Sequence, residues 1–201
     1  LAEVLKRNHW QEMALRAEEL YGALWDISVV KKGDRQLLLF SLETLKTVDA
    51  EEAVAFLKEM LLRSLEEKGF SGKMVERQKE SLRRKLKSMQ DDKKAFARKR
   101  ILEETAEGTA YGISADGYAE DLDAIDGKSL YGFYRDLAER AEGKIFFCGD
   151  RVEKPKVLSL RQEFSGKVLW REKEEREQPK NGPRFLQETA KMEQARLALG
   201  F

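Results

Sequence analysis

His9 and Glu12, in the run His9-Trp10-Gln11-Glu12-Met13, are the first residues whose types and spacing could serve a metal. A helix puts residues three apart on one face, so an imidazole and a carboxylate would converge there. Zinc sites of this kind need a second histidine, however, and Met13 stands where it would be. His9 is the only histidine in the sequence, and a lone imidazole cannot make a two-histidine, one-glutamate site. The remaining reading is a helix first turn in which Glu12 faces the positive end of the dipole and His9 is solvated.

Glu76 and Glu80, one helical turn apart, have the spacing of paired carboxylates for acid-base work. Arg77, Lys79, Arg83 and Arg84 surround them, which makes them members of a surface charge lattice instead. Asp91-Asp92 ahead of Lys93-Lys94 reads as a helix cap rather than a metal site. Serines and aspartates abound, but with one histidine there is little basis for a nucleophile triad. Cys148 lies in the apolar run Lys144-Ile145-Phe146-Phe147-Cys148 and reads as a buried structural thiol. The basic face around Arg83, Arg84, Lys85 and Lys87 lacks the interleaved aromatics that would stack nucleic-acid bases, so no nucleic-acid partner is expected. No catalytic, cofactor-binding or metal-ligating residue is assigned, and no cofactor is expected.

The elements that carry these residues follow from periodicity. Asn8 with Gln11 fits an N-cap and its partner three residues on, opening an amphipathic helix through Tyr21 that Gly22 stops. Alternation of Trp25, Ile27 and Val29 marks a half-buried strand from Leu24 to Lys31, paired through Lys32-Gly33-Asp34 with a second from Gln36 to Leu45. Thr47 or Asp49 caps a helix with the apolar stripe Ala53, Val54, Phe56, Leu57, Met60 and Leu61. Ser71 opens the longest helical stretch, with Val75, Leu82, Leu86 and Met89 at helical spacing. Asp91-Asp92 breaks it before a segment from Lys93 to Ala106. A loop spans Gly108 to Gly117, a helix Ser129 to Ala141, a short buried strand Ile145 to Cys148, and a further helix runs to about Phe164. The charge-dense segment Arg171 to Arg184 holds two of the three prolines and reads as a linker. The order predicts an α+β domain with a mostly antiparallel sheet and helices packed on one face.

With 201 residues and 41% hydrophobic content, the chain can bury one sizeable core. Its net charge of +1 gives no bulk attraction to nucleic acid or an anionic membrane, and the interspersed 37% of charged residues suits solvated helix faces. One cysteine excludes an internal disulfide framework. No stretch reaches the roughly 18 apolar residues of a membrane span and no signal peptide is visible, so a cytoplasmic protein is expected. Leu1 stands in a helix already under way and Ala195 to Phe201 reads as an opening strand, so a fragment is expected.

Several patterns together resemble the insulinase-like (pitrilysin-type) metallopeptidases, in which two homologous α+β halves joined by a linker close around a peptide. Val4-Leu5-Lys6-Arg7 resembles the end of the family's metal-binding helix. Glu19-Leu20-Tyr21-Gly22-Ala23 is similar to its helix-to-strand corner, and Phe146-Phe147-Cys148-Gly149-Asp150 to its strand ending in Gly-Asp. Glu120-Asp121-Leu122 with Ile125, and Leu130 to Tyr134, resemble the stretch before that strand, and Gln194 to Phe201 the first strand of the second half. The resemblance implies a first half-domain over 1–165 lacking its initial strands, a linker over 166–190 and the start of a second domain over 191–201.

Active members carry an inverted zinc motif, H-x-x-E-H, and a third, glutamate ligand on a following long helix. The resemblance places Glu3 at the motif's glutamate, Val4 at its second histidine and Lys85 at the third ligand, and no carboxylate occurs between Ser81 and Gln90. An ammonium cannot replace a carboxylate ligand. On this alignment Val4 and Lys85 should approach, with Lys85 snorkelling outward or meeting a carboxylate such as Glu3. The implied function is a non-catalytic homologue that pairs with an active zinc peptidase homologue, or self-associates, and forms part of a peptide chamber. Two alternatives stand beside it: an active zinc peptidase whose ligands lie outside the chain, and a translation-factor-associated scaffold. The latter rests on a likeness to a bacterial subgroup associated with aminopentanol modification of elongation factor P. No membrane partner is implied.

Overall fold

The computed structural model describes residues 1–66, 69–141, 143–149 and 187. Among them are six α-helices and one two-stranded antiparallel sheet, an α+β arrangement. The helices are α1 (Ala2–Asn8), α2 (Trp10–Glu19), α3 (Ala50–Glu66), α4 (Gly72–Met89), α5 (Lys93–Thr105) and α6 (Gly127–Arg140). The strands are β1 (Leu24–Lys32) and β2 (Arg35–Glu43), and a 3₁₀ turn spans Glu120–Ala124.

The hairpin forms as its alternation predicts. Trp25 opposes Leu42, Ile27 opposes Phe40 and Val29 opposes Leu38, so these apolar pairs share the face turned to the helices, while Leu24, Leu37 and Leu39 lie exposed on the other. Gly33 turns the chain at a φ of 64°, a left-handed conformation that favours glycine. The core sits between this face and the helices: Val4 and Leu5 of α1, Met13 and Ala17 of α2, Ile27 of β1, Phe56 and Met60 of α3, Val75 of α4 and Tyr134 of α6 form one buried cluster. Trp25 bridges it to the surface, 5.1 Å from the Trp10 ring and 6.4 Å from that of Phe56.

Several caps are as expected and one is not. Asp49 accepts from the backbone N–H of Glu51 at 2.8 Å ahead of α3, and Asp92 accepts from Lys94 and Ala95 at the start of α5. The expected cap at Asn8 is absent: α1 continues through Asn8, and His9 is the residue between two short helices. Asn8 is spent on that junction, its amide nitrogen 2.8 Å from His9 Nε2. After α2, Tyr21 (φ 58°) and Gly22 (φ 74°) both adopt left-handed backbone, while the N–H groups of Gly22 and Ala23 donate to Ala17 O. The stop at Gly22 is thus a two-residue corner.

The buried strand expected at Ile145 to Cys148 does not form. Residues 143–148 have no regular structure, Phe146 is 89% exposed and Cys148 is exposed. A strand is stabilised by pairing, and none of the described residues pairs with this run, so its apolar composition alone does not bury it. The helix to Phe164, the linker over 166–190 and the second domain over 191–201 lie outside the described residues, Gln187 excepted.

Tyr134 and Tyr131 of α6 tie that helix to α3, donating to Leu61 O at 2.6 Å and Leu65 O at 2.9 Å. Burial raises the Tyr134 phenol above its ordinary range, so it stays a donor at neutral pH. The start of α6 is held by a capping box in which Asp126 accepts from Ser129 N–H and Ser129 Oγ accepts from Asp126 N–H. Those hydrogen bonds favour the carboxylate and lower its pKa.

Two outcomes follow. Phe56 is fully buried whereas Phe133 is 59% exposed. Phe56→Ala should cost about 3–5 kcal/mol in urea unfolding, and Phe133→Ala less than about 0.5 kcal/mol. The depressed Asp126 pKa contributes stability that is present above the ordinary carboxylate value of about 3.9 and is lost as pH falls through the folded-state value. The stability gap between wild type and Asp126→Asn should therefore shrink below about pH 3.9; a gap independent of pH from 5 to 2 would contradict the ionised cap.

Candidate functional site

The place where chemistry would be sought is the contact between α1 and α4. Helix α1 lies against β1 and also packs on α4, as the resemblance required. Its inward residues are apolar: Val4 is 2% exposed and Leu5 4%. Glu3 points to solvent and pairs with Arg7 one turn later at 3.7 Å, both side chains 62% exposed. The position read as the motif's second histidine is thus a core valine, and the position read as its glutamate is on the outside.

The buried stripe of α4 is Val75, Lys79 and Leu86, with Leu82 half-buried. Lys85 stands well off this stripe at about 100° per residue. Its side chain is 59% exposed and its ammonium meets Asp116 at 2.7 Å. It does snorkel outward, but its carboxylate partner is Asp116 and not Glu3. The cation on the inner stripe is Lys79, which the alignment passed over. Only 8% exposed, it donates to Glu76 Oε1 and to Ile125 O, each at 2.8 Å. Its signal in the sequence was the i, i+4 and i+7 spacing with Val75 and Leu82, obscured because lysine is read as a surface residue.

The other candidates resolve into structure. Glu76 and Glu80 are about 60% exposed and bind Lys79 and Arg83, the lattice expected of them. Asp91-Asp92 is a cap. His9 is not solvated as expected: its side chain is 9% exposed, wedged against Asn8, with Nδ1 3.5 Å from Glu12. Glu12 also binds Arg63 of α3, so this triplet fastens α2 to α3. Among the described residues no group of three or more His, Cys, Asp or Glu side chains could hold a metal ion.

The segment after α5 is clamped by cations. Lys31 near the hairpin tip donates to Ala110 O at 3.0 Å, Tyr111 O at 2.8 Å and Ile113 O, with the Tyr111 ring centroid 6.0 Å away. Gln36 donates to Ala115 O at 2.9 Å, and Lys85 adds its tie to Asp116. Gly112 is required here, since a Cβ would collide with the Ala106 carbonyl. A cavity of about 130 Å³ lies where α4, α5 and residues 117–120 meet, lined by Leu86, Met89, Phe96, Lys99 and Tyr118 among others. It is apart from Val4.

No protein-family profile matches the chain. A probable inactive metalloprotease of Bacillus subtilis (strain 168), YmfF, is 27% identical over 154 residues, covering 72% of this chain and 36% of that protein. This likeness supports the resemblance to an inactive insulinase-like metallopeptidase homologue. The chain spans about a third of that relative's length. The crystal structure of a conserved protein from Enterococcus faecalis V583 superposes with a TM-score of 0.71 at 24% identity, over 83% of this chain and 42% of that one, and establishes the fold. Among the described residues, the positions matched to zinc ligands do not fit that metal: a buried valine and a lysine ammonium at 79 or 85 offer it no lone pair.

Lys79→Met should remove the donor to Ile125 O and leave that carbonyl without its partner, costing about 1–3 kcal/mol in urea unfolding. Unchanged stability would show that this tether contributes nothing.

Proposed function

We propose that the chain is part of a non-catalytic metallopeptidase homologue that pairs with an active zinc peptidase homologue and contributes a wall of its peptide chamber. One observation carries the reading: the α1 position matched to a zinc histidine is Val4, buried among apolar side chains, and the facing stripe of α4 supplies Val75, Lys79 and Leu86 with no carboxylate. The packing of α1 on α4 persists without the ligands, which is what a subunit retained for its shape rather than its chemistry needs. The likeness to a probable inactive metalloprotease supports the same reading.

Elemental analysis of the dialysed protein should find no stoichiometric zinc, and near one equivalent removable only by a strong chelator would overturn the proposal. The full-length protein, co-expressed with a homologue bearing intact H-x-x-E-H, should co-elute with it and change its peptidase activity. Separate elution with activity unchanged would remove the pairing. Capture of a translation factor in place of the peptidase would instead favour the scaffold reading.

A further inference from the structure

Charge is unevenly distributed along this nearly neutral chain. Residues 72–105, which form α4 and α5, carry twelve lysines and arginines against six carboxylates, while the whole chain has a net charge of +1. Many of these cations are neutralised within the chain. Lys79 binds Glu76, Arg83 binds Glu80 and Asp123, Lys85 binds Asp116, and Arg100 binds Glu103 and Glu104.

The outward face of α4 is different. Lys73, Arg77, Glu80, Arg84 and Lys87 recur at steps of four, three, four and three residues, and all five are exposed. Such a series runs straight along one side of a helix for about 21 Å. Of its four cations, none forms an ion pair with another described residue. Like charges one turn apart destabilise a helix unless something neutralises them, and the sides of this helix show that the chain can supply carboxylates where it needs them.

We infer that this stripe is a docking surface for an acidic amphipathic helix of a partner protein. The alternating four-and-three spacing is that of a helix-helix seam, in which charged flanking positions select the partner. A partner with Glu or Asp at the same spacing would face each cation, and one basic residue would face Glu80. The same features disfavour nucleic acid: Glu80 in mid-stripe opposes a phosphate backbone, no aromatic interrupts the stripe, and a net charge of +1 provides little long-range attraction for a polyanion. The inference does not depend on the metallopeptidase reading, since the stripe lies on the face of α4 opposite the one turned to α1.

The probe is a fluorescent, alanine-based helical peptide of about 20 residues with Glu at the matching spacing and one Lys opposite Glu80. Its controls are a scrambled isomer of equal charge and a single-stranded RNA of similar length. The full chain should bind the patterned peptide roughly tenfold more tightly than the scrambled one at low salt, with affinity falling as salt rises. The variant Lys73→Glu/Arg77→Glu/Arg84→Glu/Lys87→Glu should lose that binding and recover it toward a peptide with the charges exchanged. Circular dichroism checks its fold, and Arg35→Glu, at the hairpin tip, should change nothing. Equal binding of both peptides, tighter binding of RNA, or failure of the charge-exchanged pair would each overturn the inference; if the fourfold variant does not fold, Arg84→Glu alone against the patterned peptide decides.

Discussion

Burial of α1 against the hairpin and α4 is the constraint on which the rest of the molecule depends. Val4 and Leu5 reach the same cluster as Ile27 of β1, Phe56 of α3 and Val75 of α4, so α1 on β1, together with α3 on β2, covers the apolar face of a sheet that has only two described strands. A two-stranded hairpin is marginal in water without such a cover. A metal at this contact would require polar ligands inside the core. Apolar side chains fill this contact instead, with Val4 and Val75 both in the buried cluster.

Where apolar packing runs out, single ammonium groups take over. Lys79 connects the inner face of α4 to Ile125 just ahead of α6, Lys31 gathers three carbonyls of the loop after α5, and Lys85 holds Asp116 in the same loop. Each supplies several donors to acceptors that would otherwise need water. Helix α5, which has no buried residue, is capped at its N-terminus by Asp92 and braced within itself by the ion pairs of Arg100 with Glu103 and Glu104. The lysines of this chain thus play two roles: those turned inward tie loops to the core, and those on the outer stripe of α4 remain available.

The hairpin, the stripe of α3, the caps at Asp49 and Asp92 and the corner at Gly22 were legible in the sequence because each depends on neighbours within one turn or one strand pair. The α+β class followed from the order of these local elements.

Side-chain direction was decided only by the tertiary structure. Lysine is amphipathic, and sequence cannot say whether its ammonium ends in solvent or on a carbonyl 46 residues away, as Lys79 does with Ile125. His9 is half-buried beside a Glu12 that also binds Arg63 of α3, and its neighbours in sequence carry no sign of that contact. The apolar run at Ile145 to Cys148 has strand composition yet remains exposed, because a strand exists only when another strand lies beside it. Local preferences thus set which elements form, while long-range contacts, whose partners lie far apart in the chain, decide which face each residue presents.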